Sequence, residues 1–116
     1  MSRPVPPTTS NNTLVRVKGH TVASLIGLAY PGRLFLLVGH NAKATAQFIQ
    51  VHNSATLPSE AAVPEWSFLV AANSNFSLDL SLYGDHYNAG VVVCNSSTRA
   101  TKTIGSADCS FTMLVL

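Results

Sequence analysis

Apolar residues in this 116-residue chain recur mainly at every second position, in short runs separated by turn residues. The clearest run covers residues 76–82, where four apolar side chains alternate with Ser77, Asp79 and Ser81. From Cys109 to Val115 every second residue is again apolar. Such alternation is expected of half-buried antiparallel strands. Because no segment keeps a 3.6-residue apolar period over three turns, helical bundles and coiled coils are excluded.

Turn signals divide the chain at intervals of about 8–12 residues, which is typical of sandwiches and barrels. Examples are Pro31-Gly32 and the segments 39–42 and 73–75. We therefore predict one all-β domain over residues 13–116, an antiparallel β-sandwich or jelly roll of about eight short strands. Residues 1–12 are rich in proline, serine, threonine and asparagine. They are predicted to form an extended N-terminal arm.

Aromatic residues suggest both core and surface positions. Trp66 and Phe68 share one face of a predicted strand, which favours the core for both side chains. A turn or short loop is predicted over residues 83–88. Tyr83 and Tyr87 flank this turn, so we expect both rings to be partly exposed.

Charged residues make up only 10% of the chain, against about 25% in a typical soluble domain. Intrinsic disorder is excluded, because it requires low hydrophobicity and high charge. A nucleic-acid partner is not expected, because the seven basic residues are scattered among five acidic ones. Small monomers usually remain soluble through surface charge. The scarcity of charge therefore favours a homo-oligomer, with a Ser/Thr/Asn-rich monomer as the alternative.

Targeting signals and membrane spans are not evident. The N-terminus lacks the apolar segment of a signal peptide, which predicts a protein made and kept in a cytosol or released without a signal. The most apolar stretch, residues 22–38, is interrupted by Pro31-Gly32-Arg33, so no membrane partner is expected. Cys94 and Cys109 are too few for a disulfide scaffold. We predict two buried thiols, with a bridge between neighbouring strands or a metal or catalytic role as alternatives.

The polar residues form no recognisable catalytic or metal-binding pattern. No G-x-S-x-G or phosphate-binding glycine motif is present. Ser106 precedes a strand and is read as part of a turn that Asp108 caps with its side chain. The histidines are not spaced as metal ligands, and each is expected in a turn or on the surface: His20, His40, His52 and His86. We predict no enzyme activity, no cofactor and no metal.

Several segments, taken in order along residues 34–112, resemble small β-sandwich virion proteins encoded by tailed bacteriophages. Two strands joined by an Asn-Ala turn end in Phe-Ile-Gln-Val-His-Asn, and Pro58 and Pro64 follow before the next strand. The remaining segments that carry the resemblance are residues 66–70, 76–84, 86–98 and 103–111. Many such phage proteins are capsid decoration, or cement, proteins. The resemblance implies a structural role in a virion and carries no catalytic residues.

The expected function is therefore that of a virion protein assembled in the host cytoplasm, most simply a head decoration protein that bridges capsid subunits. Its partners would be the major capsid protein and copies of itself, with a homotrimer favoured. We expect the arm and one loop to contact the capsid, through Arg3, Pro4, Val5, Pro6, Pro7, Leu57, Pro58 and Glu60. A neck, tail or fibre protein is the first alternative. The second is a receptor- or glycan-binding sandwich that uses Tyr83, His86 and Tyr87.

Overall fold

The computed structural model describes residues 14–80 and 82–116, and these residues form nine β-strands and no helix. The strands are β1 (Val15–Val22), β2 (Ser24–Leu28), β3 (Gly32–Asn41), β4 (Gln47–Asn53), β5 (Trp66–Val70), β6 (Ser74–Asp79), β7 (Asp85–Tyr87), β8 (Val91–Ser96) and β9 (Cys109–Val115). The predicted arm, residues 1–12, lies outside the described residues.

The strands form two antiparallel sheets with the connectivity of a jelly roll. Sheet A has the order β1-β9-β3-β6, with β7 also paired to β3, and sheet B has the order β2-β8-β4-β5. The antiparallel strand pairs are nested along the sequence, with the innermost pair enclosed by the others. β1 pairs with β9, β2 with β8, β3 with β6 and β7, and β4 with β5. Counting β6 and β7 as one interrupted strand gives eight strands in two sheets, as in other jelly rolls. The predicted fold class is confirmed.

The core lies between the two sheets and is built from alternate residues of the central strands. On β9 every second side chain, from Cys109 to Val115, is buried, as the sequence predicted. The rings of Phe68, Phe76 and Phe111 contact one another edge-on or tilted, with neighbouring centroids 6.0 Å apart. These contacts join sheet B to sheet A, and burial of such side chains is the main stabilising term in a sandwich.

Two local predictions are wrong. The predicted strand over residues 76–82 ends at Asp79, and Leu82 is 87% exposed rather than directed inward. Residues 85–87, predicted as part of a turn, form the short strand β7 opposite the start of β3. The reason is tertiary, because β3 is long enough to pair with two strands in succession. Gly84 makes the connection at a φ of +68°, which favours glycine.

Candidate assembly surface

The outer face of sheet B, here called the covered face, is buried by the protein's own loops. Gln50 and His52 of β4 and Val92 and Cys94 of β8 alternate with core residues and therefore point away from the core. All four are nevertheless buried. The loops over residues 54–64 and 97–104 cover this face.

Gln50 connects the covered face to the loop above it. Its Nε2 group donates to the carbonyl oxygens of Thr98, Arg99 and Thr101 at 2.9, 3.2 and 3.1 Å. Its Oε1 atom lies 3.0 Å from His52 Nε2. Because an amide oxygen only accepts, this contact assigns the proton of the neutral imidazole to Nε2.

His52 is buried, so the prediction that it lies in a turn or on the surface is wrong. Burial, together with the nearby charge of Lys102, lowers the pKa of His52 to about 4. The imidazole is therefore neutral at physiological pH. Because its imidazole is neutral, His52 can be buried beneath the loops near the cationic Lys102 without an anionic partner of its own.

Lys102 fastens the loop over residues 54–64 to its neighbour. Its backbone N–H donates to Ala62 at 2.7 Å, and its carbonyl accepts from Ala61 at 2.8 Å. Its buried Nζ group donates to the Pro58 carbonyl at 2.8 Å. Ala61 has a φ of +71°, a strained value for alanine that the surrounding hydrogen bonds maintain. The loop is thus held in one shape.

The two loops that Lys102 joins present apolar side chains to solvent. Leu57, Val63 and Ile104 are 55%, 74% and 62% exposed, and we call these three residues the loop tip. Of the predicted contact residues in the loop, Leu57 is exposed, whereas Pro58 is half-buried. Glu60 is exposed and accepts a hydrogen bond from the Ile104 N–H at 2.9 Å, so it shapes the loop tip.

The outer face of sheet A, here called the open face, is not covered by the described loops. Its outward residues form rows across the strands, since Leu36 of β3 is in register with Leu114 of β9 and Asp79 of β6. Two rows further along β3, His40 is in register with Ser110 and Asn75. The open face therefore changes from apolar at one end of the sheet to polar at the other.

A groove of about 650 Å³ crosses the apolar end of the open face. Its apolar lining consists of Leu14, Phe35, Leu36, Leu82, Leu114 and Leu116, and we call it the leucine groove. Asp79 contributes a carboxylate to the wall on the β6 side. Exposed apolar surface of this kind marks protein-binding sites more often than chance would give.

Of the residues proposed to face a ligand, Tyr83 is 81% exposed and His86 is also exposed, but Tyr87 is only 2% exposed. The expected exposure of Tyr87 is therefore wrong, because its ring packs in the core. Its hydroxyl donates to Asp85 Oδ2 at 2.9 Å, and Trp66 Nε1 donates to the same oxygen at 2.8 Å. Burial and the Asp85 carboxylate raise the pKa of Tyr87, so its hydroxyl remains a proton donor.

Trp66 was predicted in the core but is 41% exposed. It starts β5, the edge strand of sheet B, and its indole reaches across the side of the sandwich to Asp85 in sheet A. Phe68, one pleat further along the same face, packs against the core as predicted. The edge of the core therefore lies between Phe68, which packs inside it, and Trp66, which does not.

A buried amide cluster joins the two sheets near the polar end of the open face. Gln47 Nε2 donates to Asn41 Oδ1 at 2.7 Å and to Asp108 Oδ1 at 2.9 Å. Partial burial alone would raise the pKa of Asp108, but hydrogen bonds from Ser106 and Gln47 and the charge of Lys43 hold it below its usual value. Asp108 therefore stays ionised and caps the turn that contains Ser106, as predicted.

Cys94 and Cys109 are both buried and free, as predicted, and they lie in different sheets. Burial raises the pKa of each thiol to about 11. Both groups are therefore protonated and unreactive at neutral pH.

Within residues 14–80 and 82–116, no cluster of three or more histidine, cysteine or acidic side chains could hold a metal ion. Over the same ranges, no helix has the length and hydropathy needed to cross a bilayer.

The predicted arm contacts Arg3, Pro4, Val5, Pro6 and Pro7 lie outside the described residues. Sequence reasoning missed the leucine groove and two residues of the loop tip, Val63 and Ile104. One signal was present, because the chain ends in Met-Leu-Val-Leu. A run apolar at every position indicates a strand with apolar side chains on both faces.

Comparison with known proteins gives one similar structure. No family model matches the chain, and no curated protein does. The chain is similar to the coat protein of Tobacco streak virus, with a TM-score of 0.48 and 13% sequence identity over 98% of this chain and 90% of that one. This similarity is too low to transfer a function.

Proposed function

We propose that this protein is a structural virion protein of a tailed phage, most simply a decoration protein that binds the outside of the head and bridges capsid subunits. The observation that best supports an assembly role is the leucine groove, since none of the loops within residues 14–80 and 82–116 covers the apolar end of the open face. The low charge of the chain agrees with surface that is hidden in an assembly.

The proposed mechanism is mechanical and includes no catalytic step. Each copy adds buried interface between neighbouring capsid subunits and so resists the outward pressure of packaged DNA. The loop tip is suited to such a contact, because Lys102 and Glu60 already fix its shape. A preorganised loop loses little conformational entropy on binding. Many weak contacts in an ordered lattice then combine through multivalency.

The arm is proposed to supply the second contact. Residues 2–12 would lie along a capsid subunit as an added extended segment. The major capsid protein and other copies of this chain are the proposed partners, and a trimer is the proposed oligomer.

Sedimentation with phage heads that lack this protein tests the proposal. We expect the full chain to sediment with the heads, and the variant without residues 2–12 to remain in the supernatant while its circular dichroism spectrum shows that the fold is intact. Leu57→Ser should weaken binding at least tenfold, whereas Ser59→Ala, an exposed control in the same loop, should not.

Unchanged binding of the truncated variant would contradict the proposed role of the arm. Failure of the full chain to bind heads would contradict the decoration role itself. Light scattering on the purified protein gives the oligomer, and a mass near three times 12.3 kDa is expected for a trimer.

A receptor- or glycan-binding module is the second candidate, and the exposure of Tyr83 favours it. This ring is 81% exposed next to the exposed Leu82. Exposed aromatic rings commonly stack on sugars or pack against partner proteins. A glycan array should then give hits that Tyr83→Ala removes, and an array without hits at high protein concentration would exclude this role.

A further inference from the structure

The described chain begins in the wall of the leucine groove. Leu14 lines the groove, and Val15 pairs with Val115 at the same end of sheet A. Any segment that precedes Leu14 is therefore tethered directly beside the groove. Tethering of this kind gives an effective concentration on the order of millimolar, so even a weak contact is well populated.

We propose that, in the free protein, residues 3–10 of the same chain occupy the leucine groove. The segment would run across the strands from Leu14, on the β1 side, towards Asp79, on the β6 side. The occupant is thus the protein's own arm, held over the apolar end of the open face.

The arm is long enough to cross the groove. Between β1 and β6 there are three interstrand gaps, which span about 14 Å in total. An extended proline-rich chain rises about 3.1 Å per residue, so the step from Ser10 to Arg3 covers roughly 22 Å. Asn11 and Asn12 stand between this segment and the groove wall, and asparagine readily adopts the backbone conformations of a bend.

The chemistry of the arm also matches the groove. Pro4, Val5, Pro6 and Pro7 are apolar, and the three prolines have no N–H group that would need a partner when buried. A segment of this kind can cover leucine side chains without the sheet pairing that an ordinary strand requires. The preferred extended conformation of proline also lowers the entropy lost on docking.

Charge would favour one direction of the arm across the groove. Arg3 is the only basic residue among residues 1–13. If the segment starts at Leu14 and crosses the sheet, Arg3 arrives on the side where Asp79 contributes its carboxylate. Opposite charges at the far end therefore favour this orientation over one that leaves the groove early.

In the free protein, the arm would cover the apolar lining of the leucine groove. When residues 2–12 contact a capsid, the leucine groove must be vacated and its apolar surface becomes available to the same partner. Release of the arm and exposure of the groove would then occur together.

Disulfide trapping tests the proposal in the full-length protein. In the double variant Val5→Cys with Leu36→Cys, we expect a disulfide to form under mild oxidation with the product at the mass of a single chain. The matched control is Val5→Cys with His40→Cys, because His40 lies on the same strand and the same outer face, four residues from the groove. The native thiols are buried and contribute no background.

The groove pair should form its disulfide at least tenfold faster than the control pair. Equal rates for the two pairs would overturn the proposal, because they would mean that the arm does not prefer the groove. A disulfide-linked dimer would also overturn it, because a second copy would then supply the arm.

A spin label provides a second measurement that leaves the groove unchanged. A nitroxide on Val5→Cys, diluted with unlabelled protein, should broaden the amide resonances of Leu36 and Leu114 much more strongly than those of His40 and Ser110, which lie about 13 Å further along the same strands. Uniform or absent broadening would overturn the proposal. Because neither trapping nor labelling involves phage heads, these results are independent of the sedimentation experiment.

Discussion

The two outer faces of the sandwich carry the same kind of side-chain pair in opposite settings. On the covered face, Gln50 Oε1 and His52 Nε2 are 3.0 Å apart and buried. On the open face, Asn75 Oδ1 and His40 Nδ1 are 2.7 Å apart and exposed. The shorter contact is not the more important one, because water replaces an exposed hydrogen bond easily and a buried one hardly at all. The burial of each pair therefore decides how much it contributes to the free energy of unfolding.

The largest difference in stability between the two faces is expected when the amide side chain of each pair is removed. Gln50→Ala should lower the free energy of unfolding by about 3–4 kcal/mol, because three loop carbonyls and the His52 N–H lose their partner beneath the loops. Asn75→Ala, the matched change on the open face, should cost less than about 0.5 kcal/mol. Urea unfolding followed by circular dichroism measures both, and equal losses would show that the covered face is open to water.

A pH dependence should follow from His52. Its pKa is lowered from 6.5 to about 4 in the folded protein, first by burial and then by Lys102. Between these values the unfolded chain binds a proton that the folded one does not, so stability is constant above pH 6.5 and falls as the pH is lowered towards 4. At about 1.4 kcal/mol per pH unit, the loss approaches about 3 kcal/mol.

Urea titrations from pH 4.5 to 7.5 measure this slope, and ordinary carboxylates titrate only at the lower end of this range. His52→Gln retains an amide that can donate to Gln50 but does not titrate, so the slope should be absent from this variant. An identical slope in the wild type and in His52→Gln would assign it to other groups.

A smaller difference is expected for two valines at comparable outward positions. Val92 of β8 is fully buried under the loops, whereas Val38 of β3 is only half-buried on the open face. Val92→Ala should cost about 2 kcal/mol, and Val38→Ala less than about 1 kcal/mol. Thermal unfolding of the two variants compares them directly, and a larger shift in Tm for Val38→Ala would mean that the open face is covered in solution.

The sequence predicted which segments form strands and which side of each strand faces the core, because the alternation of apolar and polar residues is a local property of the chain. Phe111 and Met113 of β9 are buried where the pattern put them. The residue at which a strand ends depends also on segments distant in the sequence. Leu82 continues the alternation in the sequence, but β6 ends at Asp79 because β7 takes over the pairing with β3.

The candidate surface was only partly predictable. Leu57 was placed correctly on an exposed loop, whereas the exposure of Val63 and Ile104 depends on how two loops distant in sequence are fastened together by Lys102. Tyr87 was expected at the surface because it flanks a predicted turn, and His52 because the histidines are not spaced as metal ligands. Their burial depends on segments distant in sequence, the loops over His52 and the opposite sheet against Tyr87.

The sequence by itself determined the all-β class, the inward alternation of β9 and the low charge, because each is a property of composition or of neighbouring residues. Only the tertiary structure decided which sheet keeps its outer face open. Both sheets have outward apolar residues, such as Val92 in sheet B and Leu36 in sheet A. The loops that follow β4 and β8 fold back over sheet B, where Gln50 and Lys102 hydrogen-bond their backbone groups. Over the described residues no comparable loop covers sheet A, and its leucines remain at the surface.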